Sequence, residues 1–522
     1  MSNEPVFRLA PPKKGGLLSL IFSRFLIIFV LLLLQAAFYV LLFLRLREYY
    51  MHFTVFIALF TLSMTIYLFL CDTDDSAKLT WLLIIVILPF FGAFLFLYTQ
   101  INLGHRVLKK RASATIQETM HAIPQNPGIM DELERDGGDV DDLVKYLNRS
   151  GCFPVFKNTE TQFFPLGEDM FEAMLEELRT AEKFIFMEYF IITEGYMWGK
   201  ILEILIEKAA AGVDVRVMYD GMCEMSTLPT DYWKLLEKKG IRSRPFAPIL
   251  PVLSSHYNYR DHRKILVIDG RIAFNGGVNM ADEYINRIVR FGHWKDTAVM
   301  LKGDAVKSFT LMFLTMWNIN EKEPAYEPYI KDTGFVPENP SGFVLPYADC
   351  PLDKDKVGEA VYIDMLYRAG EYVHIMTPYL ILDGELLTAL KYAAQRGVDV
   401  KLILPGIPDK KAAFALAKTH YRTLTEAGVE IYEYTPGFVH AKVAVSDNER
   451  AVVGTINLDY RSLYHHFECA TYLYKTDCIG GIEQDFQKTL AQCRKVTGET
   501  IRHEKLSYKL LGYFMKFIAP LM

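Results

Sequence analysis

Two distant stretches of the chain carry histidine, lysine, aspartate and asparagine at the same spacing. In each stretch the histidine precedes the lysine by two residues, the aspartate by seven and the asparagine by seventeen. The two sets are His262, Lys264, Asp269 and Asn279, and His440, Lys442, Asp447 and Asn457. A single His-x-Lys pattern would carry little weight, but two copies with identical long spacing do not arise by accident. Because residues i and i+2 of a strand share a face, we expect each histidine and its lysine to point the same way.

These residue types suit the transfer of a group through a covalent bond to phosphorus. A neutral imidazole can attack phosphorus, and the intermediate divides a difficult displacement into two easier steps. The second imidazole can protonate the leaving oxygen and later deprotonate an incoming hydroxyl. The lysines can stabilise charge on the non-bridging oxygens, and the turns before the asparagines offer backbone N–H groups at close range. We therefore expect the phosphate to be bound by Lys264, Lys442, Asn279, Asn457, Gly277 and Thr455.

An attacking imidazole must be neutral and held in one tautomer, which usually requires a carboxylate at its other nitrogen. The two halves align beyond the asparagines, where the residues at 293–296 match those at 465–468. We therefore expect Asp296 and Glu468 to orient the histidines. The two aspartates of the repeated pattern belong to the candidate catalytic set, but they end predicted strands, and we interpret them as scaffold residues that bind turn amides: Asp269 and Asp447.

The elements that must position these residues also repeat. Residues 183–192 resemble residues 372–381, and each is a short apolar run that follows a helical stretch. Gly-Val-Asp-Val occurs at 212–215 and again at 397–400, which predicts a helix, a glycine stop and a buried strand. Strands that alternate with helices indicate an α/β fold with a parallel or mixed sheet covered on both faces. Two such units would form a pseudo-twofold pair of α/β sandwich lobes that share one active site.

Hydrophobic residues make up 51% of the 522 residues, which excludes an intrinsically disordered chain. Three apolar runs, at 25–44, 51–71 and 79–98, hold much of this excess, and each is long enough to span a bilayer core of about 30 Å. Basic residues lie before the second run and after the third, and aspartates lie between them. The positive-inside rule therefore predicts that these two runs form a hairpin and that everything after residue 105 is cytoplasmic. The first run spans, lies in the interface or re-enters, because its flanking charges conflict.

Composition disfavours several other functions and sites. A net charge of −5 argues against a general nucleic-acid binder. Seven scattered cysteines without a Cys-x-x-Cys pair indicate neither a disulfide framework nor a zinc site. The adjacent His465 and His466 have no further Cys or His at ligand spacing, so we expect no metal and no other cofactor. The segment 505–522 has apolar residues at near-helical spacing, and it either packs on the second lobe or lies among lipid headgroups.

The doubled pattern His-x-Lys-x4-Asp-x6-Gly-[Gly/Thr]-x-Asn resembles that of the phospholipase D superfamily, and the chain is similar to the bacterial cardiolipin synthases of that superfamily. The likeness also includes the stretches at 187–191, 259–264, 276–284, 377–380 and 457–462. It implies a transphosphatidylation without metal or nucleotide. One phosphatidylglycerol forms a phosphatidyl-histidine and releases glycerol, and a second phosphatidylglycerol takes the phosphatidyl group to give cardiolipin. His262 would be the nucleophile and His440 the general acid and base.

The resemblance leaves the acceptor open. A hydrolytic phospholipase D, or transfer to another alcohol, is the alternative among enzymes. A phosphodiesterase or nuclease, and a lipid-binding protein with an inactive site, are less favoured. Two features depart from the family pattern: the third apolar run exceeds the two that we expect, and Gly277 stands where many relatives have serine.

The resulting organisation is a membrane region at 1–105, a linker of modest structure at 106–160, and two lobes at 161–335 and 336–522. We expect N-terminal transmembrane helices followed by two phospholipase D-like lobes. The protein would be a multi-pass protein of the bacterial plasma membrane with cytoplasmic catalytic lobes. Its expected partners are phosphatidylglycerol, cardiolipin and the bilayer, with no nucleic acid.

Overall fold

A computed structural model describes residues 6–11, 49–71, 74–100, 103–248, 259–321 and 323–521, together with isolated positions between 33 and 44. The chain divides into two compact units. The first, here called the α/β unit, comprises residues 1–13, 108–249 and 257–513. The second, here called the apolar unit, comprises residues 14–107, 250–256 and 514–522.

Both helices and strands are numbered in chain order. The strands are β1 (Thr159–Phe164), β2 (Phe184–Tyr189), β3 (Asp214–Asp220), β4 (Arg242–Phe246), β5 (Arg260–Asp261), β6 (Lys264–Ile268), β7 (Ile272–Gly276), β8 (His293–Lys295), β9 (Ala298–Gly303), β10 (Phe343–Asp349), β11 (Tyr372–Met376), β12 (Asp399–Pro405), β13 (Glu430–Tyr434), β14 (Gly437–Val439), β15 (Val443–Ser446), β16 (Arg450–Gly454), β17 (His466–Tyr474) and β18 (Cys493–Lys495). The α-helices are α1 (Tyr50–Leu70), α2 (Asp75–Ile87), α3 (Pro89–Gln100), α4 (Leu103–Thr119), α5 (Pro127–Asp136), α6 (Val140–Gly151), α7 (Gly167–Arg179), α8 (Tyr196–Ala210), α9 (Met222–Ser226), α10 (Tyr232–Glu237), α11 (Val306–Asn318), α12 (Val357–Arg368), α13 (Gly384–Gln395), α14 (Lys411–Glu426), α15 (Tyr460–Tyr464), α16 (Ile479–Leu490), α17 (Gly498–Arg502) and α18 (Leu506–Ile518).

The α/β unit contains two large mixed sheets with the same strand order. The first runs β1-β9-β7-β6-β2-β3-β4, and the second runs β10-β17-β16-β15-β11-β12-β13, with β18 added at its edge. In both sheets the last three strands of the shared order are parallel, and the others pair antiparallel. The internal repeat of the sequence is therefore a repeat of strand order.

The central strands are apolar on both faces. In β6, Leu266 and Ile268 pack in the core of the first half, whereas Ile265 and Val267 pack in a second core between the two sheets. That second core also contains Val443 of β15 and residues of α11. Successive side chains of a strand point to opposite faces, so a strand buried on both sides has a continuous apolar sequence.

The two Gly-Val-Asp-Val stretches end helices as their sequence predicts. Gly212 follows α8 with a φ of +93°, and Gly397 follows α13 with a φ of +96°. Glycine adopts this left-handed conformation without the steric cost that a Cβ atom would bring. β3 and β12 begin directly afterwards, at Asp214 and Asp399.

Two short strands leave their own half and pair with the other. β5 of the first half pairs in parallel with β17 of the second. β14 of the second half pairs in parallel with β8 of the first. Each exchanged strand ends directly before one of the two pattern histidines, His262 and His440.

The segment 106–160 differs from the linker of modest structure that its polar composition predicted. Helices α4, α5 and α6 occupy most of it, and Leu133, Leu143 and Leu147 join the core of the second half. Helix α5 starts at a well-formed boundary, since the Asn126 side chain accepts the N–H of Gly128 and a proline stands in the first turn. The prediction was wrong because spacing of a few apolar residues on one face outweighs the polar average.

The apolar unit contains one helix that is long and apolar enough to cross a membrane, among the residues that the structure describes: Met51–Leu70 within α1. The run 79–98 was predicted to span the membrane, and the structure does not form it as one continuous helix. It is divided into α2 and α3, because Pro89 lacks an N–H and disfavours the helical conformation for Leu88. Helices of 13 and 12 residues are about 20 Å long, less than a bilayer core of about 30 Å. Most of the run 25–44 lies outside the described residues.

Candidate active site

The main chain at His262 is held by a strand of the other half. β5 places Asp261 opposite Phe467 of β17, and the His262 N–H donates to the Phe467 carbonyl oxygen over 3.0 Å. The chain then enters β6 of its own sheet at Lys264. His262 therefore lies where the chain changes sheets and not inside one continuous strand, as the i, i+2 argument assumed.

The side chain of His262 is oriented by Glu468, which follows Phe467. Nδ1 of His262 lies 2.9 and 3.0 Å from the two carboxylate oxygens of Glu468. Burial raises the pKa of Glu468, but the charge and hydrogen bond of His262 outweigh burial and lower that pKa below its usual value. Glu468 is therefore ionised and accepts the Nδ1 proton, which leaves the Nε2 lone pair of His262 free.

His440 is held in the same way by the first half. Val439 of β14 stands opposite Lys295 of β8, and the His440 N–H donates to the Lys295 carbonyl oxygen over 2.7 Å. Nδ1 of His440 lies 2.7 Å from Oδ2 of Asp296, the next residue along the chain. Burial raises the pKa of Asp296, but attraction to His440 and its hydrogen bond lower that pKa overall. Each histidine thus pairs with the carboxylate of the opposite half.

Electrostatic interactions also connect the two sets. The ammonium of Lys264 contributes to lowering the pKa of both His440 and Lys442. The negative charge of Asp296 in turn opposes the lowering of the pKa of Lys264 by burial. Charges that affect one another in this way lie within one site, so the structure brings together both histidines, both lysines and both orienting carboxylates.

Burial favours the neutral form of both imidazoles. Burial lowers the pKa of His262 well below its usual value, and Lys264 adds to this. Burial, followed by the charge of Lys442, lowers the pKa of His440 to about 4. A neutral imidazole with its Nδ1 proton on a carboxylate can act as a nucleophile or as a base.

The two lysines are buried, and the carboxylates near them offset only part of the effect of burial on their pKa values. Lys264 and Lys442 are each 1% exposed, and their ammonium groups donate to the carbonyl oxygens of His262 and His440. Burial lowers the pKa of Lys264 to about 8 and that of Lys442 to about 7. A phosphate between them would supply the negative charge that the ammonium groups lack, so the site is suited to an anion.

The side chains of the two pattern asparagines form hydrogen bonds with neighbouring loops of the site. Oδ1 of Asn279 accepts the Ile191 N–H over 3.0 Å, and Nδ2 donates to the Tyr284 hydroxyl over 2.8 Å. Nδ2 of Asn457 donates to the Ser462 hydroxyl over 3.0 Å. Each amide keeps one further N–H that is not used in these contacts, because an NH₂ group has two donors.

Gly277 and Thr455, which the sequence predicted to bind phosphate, contact the orienting carboxylates. The Thr455 hydroxyl donates to Glu468 and thereby supports the carboxylate that orients His262. A Cβ atom on Gly277 would lie 2.0 Å from Oδ1 of Asp296, so glycine is what lets that carboxylate reach its position. Both residues act on the orienting carboxylates. Their direct phosphate role is not supported by these contacts.

The pattern aspartates lie at the far end of their strands and bind backbone. The Asp269 carboxylate accepts the N–H groups of residues 182–184 over 2.7–2.9 Å. The Asp447 carboxylate accepts those of residues 370–372 over 2.8–2.9 Å. Both belong in the scaffold, and neither contacts the imidazoles, so their inclusion in the candidate catalytic set is corrected.

Aromatic side chains that the sequence argument did not single out surround the imidazoles. Phe190 contacts His262 edge to face at 4.9 Å between ring centroids. Tyr284 contacts His440 edge to face at 5.3 Å, and Trp294 lies 5.5 Å from it. Such rings exclude water and fix the imidazole planes. Phe190 and Tyr284 lie within the stretches that carried the family resemblance, which was the available signal.

The family model described as "Cardiolipin synthase, PLD-like domain" matches residues 174–317 and 362–490, just over half of the chain. The two matched ranges contain both histidine patterns. The chain belongs to this cardiolipin synthase family. The resemblance that the doubled pattern indicated is confirmed.

Relatives in this family extend over most of the chain. A cardiolipin synthase of Halalkalibacterium halodurans is 33% identical over 474 residues, 90% of this chain and 94% of the relative. Cardiolipin synthase 2 of Bacillus cereus is 33% identical over 456 residues, 87% of this chain and 88% of the relative. An uncharacterized protein of Streptococcus mutans is 56% identical over 457 residues, 88% of this chain and 99% of the relative.

A solved structure supports the fold. The phosphatidylserine synthase of Haemophilus influenzae aligns with a TM-score of 0.55 at 14% identity, covering 73% of this chain and 97% of that one. At such low identity the match shows the fold alone. The expected phospholipase D-like α/β fold is thereby confirmed.

Proposed function

We propose that this protein is a cardiolipin synthase that transfers a phosphatidyl group from one phosphatidylglycerol to another and releases glycerol. The observation that carries the proposal is the pair of reciprocal histidine–carboxylate contacts, His262 with Glu468 and His440 with Asp296. Two oriented imidazoles beside two buried lysines are the parts that a two-step transfer at phosphorus needs. The relatives named cardiolipin synthase support the choice of substrate.

In the first step, Nε2 of His262 attacks the phosphorus of phosphatidylglycerol. The negative charge of the bound phosphodiester favours the protonated form of His440. The N–P bond forms while the bond from phosphorus to the glycerol oxygen breaks, and His440 gives its proton to that oxygen. Glu468 stabilises the positive charge that His262 acquires. Glycerol leaves and the phosphatidyl group stays on His262.

In the second step, neutral His440 takes the proton of the hydroxyl of a second phosphatidylglycerol. The new O–P bond forms while the N–P bond breaks, which restores neutral His262 and protonated His440. Lys264 and Lys442 stabilise the negative charge of the non-bridging oxygens in both steps. The assignment of His262 as the nucleophile follows the family resemblance.

The products formed from phosphatidylglycerol alone identify the molecule that accepts the phosphatidyl group. Purified protein in mixed micelles of detergent and phosphatidylglycerol, with no other lipid, should produce cardiolipin and glycerol in equal amounts. Phosphatidic acid as the sole phospholipid product would instead indicate a hydrolytic phospholipase D. Formation of product only after addition of another alcohol would indicate a different phosphatidyltransferase.

We further propose that the lobes at 161–335 and 336–522 form the catalytic part on the cytoplasmic side of the plasma membrane. The run 25–44 and α1 would supply two crossings, which fits the number expected for the family and keeps the basic N-terminus in the cytoplasm. This topology places Arg45 and Arg47 outside, in contrast to the hairpin of 51–71 and 79–98 that the positive-inside rule predicted. The exposed Leu506, Leu510 and Tyr513 of α18 would contact the headgroup region. Single cysteines at Ser2 and Lys234, in a variant without native cysteines, should both resist an impermeant thiol reagent in intact cells.

A further inference from the structure

His466 is a buried histidine for which the proposed transfer has no use. Its side chain is 8% exposed, and neither ring nitrogen has a hydrogen-bond partner among the described residues. Its Nδ1 lies 3.6 Å from Oε1 of Glu468, which is too long for a hydrogen bond. Its ring centroid lies 5.4 Å from that of His262. A buried imidazole without a partner costs free energy, so its position beside the nucleophile needs an explanation.

Two nitrogens and one carboxylate oxygen converge at this point. Donor atoms of His262, His466 and Glu468 all lie within 4.8 Å of one another. Zn²⁺ binds imidazole and carboxylate at about 2.0–2.2 Å, which places donors of a tetrahedral site roughly 3.3 Å apart. The contacts of Glu468 with the two histidines, at 2.9 Å and 3.6 Å, are near that spacing. Two histidines and one glutamate also form a donor set that zinc accepts.

We propose that His262, His466 and Glu468 bind Zn²⁺, and that the bound ion inhibits the enzyme. The inhibition rests on the proposed role of His262, whereas the binding does not. If the ion takes Nε2 of His262, it occupies the lone pair that attacks phosphorus. If it takes Nδ1, the ring proton moves to Nε2 and the same lone pair is lost. In both arrangements Glu468 also gives at least one of the two oxygens that contact His262 to the ion.

The other half of the site provides an internal comparison. Trp294 occupies the position beside His440 that His466 occupies beside His262, at ring distances of 5.5 and 5.4 Å. Each precedes its orienting carboxylate by two residues. Tryptophan has no lone pair for a metal, so only the side with His466 has a third ligand. The zinc site is therefore expected beside His262 and not beside His440, with ligands from both halves.

The test uses full-length protein in detergent with any affinity tag removed. Calorimetric titration with Zn²⁺ should give one saturable site per chain, and the initial rate on phosphatidylglycerol should fall in step with occupancy and recover with EDTA. His466→Gln should weaken zinc binding and raise the half-inhibitory zinc concentration, both by at least tenfold. His465→Gln, the neighbouring residue outside the cluster, should bind zinc as the wild type does.

Equal zinc affinity in wild type and His466→Gln would overturn the proposal, as would the absence of saturable binding. Zinc binding that depends on His466 in a protein without transferase activity would leave the site in place and count against the proposed function. If His466→Gln does not fold, Co²⁺ binding to the wild-type protein is measured in place of the comparison between the two proteins. An intense visible absorption band from tetrahedral Co²⁺ that zinc displaces supports the site, and its absence overturns it.

Discussion

Glu468 holds Nδ1 of His262 through both carboxylate oxygens, although the two residues are 206 positions apart in the chain. Asp296 holds His440 across 144 positions in the opposite direction. In both cases the main chain of the histidine is bonded to the residue directly before the carboxylate, at Phe467 or Lys295. The same exchanged strand thus sets the backbone and the tautomer together. Neither half alone contains both members of the His262–Glu468 pair or of the His440–Asp296 pair.

Replacing the orienting carboxylates should reduce turnover while leaving the fold intact. Glu468→Gln and Asp296→Asn each keep the side-chain volume but no longer stabilise a positively charged imidazole. We expect kcat to fall by about 10²–10⁴ in each variant. Steady-state cardiolipin formation measures the loss, and Glu203→Gln at an exposed position serves as the control. A loss of less than threefold in Glu468→Gln would show that this contact does not serve the reaction.

The two histidines should differ in what they leave on the enzyme. His262→Ala removes the atom to which phosphorus bonds, so we expect no covalent phosphatidyl adduct and at least a 10³-fold loss of turnover. His440→Ala should lose activity to a similar extent because no group moves the proton. Rapid acid quench with radiolabelled phosphatidylglycerol should trap an adduct on His262 in the wild type, mapped by mass spectrometry. An adduct found on His440 would reverse the two roles.

Most of the correct predictions about the fold and the site came from the internal repeat. Matching 293–296 with 465–468 brought out Asp296 and Glu468, and the twice-repeated Gly-Val-Asp-Val marked where helix ends and strand begins. The partner of each carboxylate could not be derived, because it depends on β5 and β14. These strands have two and three residues, too few for any periodic pattern, and their pairing is a tertiary contact between halves.

Predictions based on composition alone were the weaker ones. The polar average of 106–160 concealed apolar residues such as Leu143 and Leu147 on one helical face. The lack of charge in the run 79–98 suggested one long helix, but Pro89 disfavours the helical conformation of Leu88 and divides the run. Sequence spacing also predicted no metal site at His466. His262, the second histidine of the proposed zinc site, is distant in the sequence and approaches His466 and Glu468 only when the two halves assemble.

Anion binding should weaken as pH rises through the range in which the lysines lose their protons. The pKa of Lys442 is lowered to about 7 and that of Lys264 to about 8, so both are charged below pH 6.5 and largely neutral above pH 9. Sulfate keeps its charge throughout this range. Its inhibition constant against phosphatidylglycerol should therefore increase at least tenfold between pH 6.5 and pH 9 at constant ionic strength.

Two lysine variants control this measurement. Lys442→Met should weaken sulfate inhibition at pH 6.5 and flatten its pH dependence. Lys238→Met, at an exposed position, should reproduce the wild-type profile. A sulfate inhibition constant that stays constant across the range in the wild type would contradict anion binding by these lysines.

Chelators should leave the reaction rate unchanged, because the proposed steps use only imidazoles, lysines and carboxylates. Initial rates of cardiolipin formation in excess EDTA should equal those in metal-free buffer. The rate in buffer with trace zinc should be lower and should rise on adding EDTA, as the proposed inhibitory site requires. A rate that falls in EDTA and recovers with added Mg²⁺ would show that the transfer needs a metal.

The Thr455 hydroxyl should affect the rate through Glu468 and not through phosphate. Thr455→Val keeps the shape of the side chain but removes the donor, so the buried carboxylate loses one hydrogen bond. A buried bond of this kind is worth about 1–3 kcal/mol, which corresponds to roughly a tenfold to hundredfold loss of kcat. Thr455→Ser keeps the hydroxyl and should retain most of the activity. The decisive measurement is the sulfate inhibition constant at pH 6.5, which should be unchanged in Thr455→Val. A tenfold weaker inhibition would mean that the hydroxyl binds the anion directly.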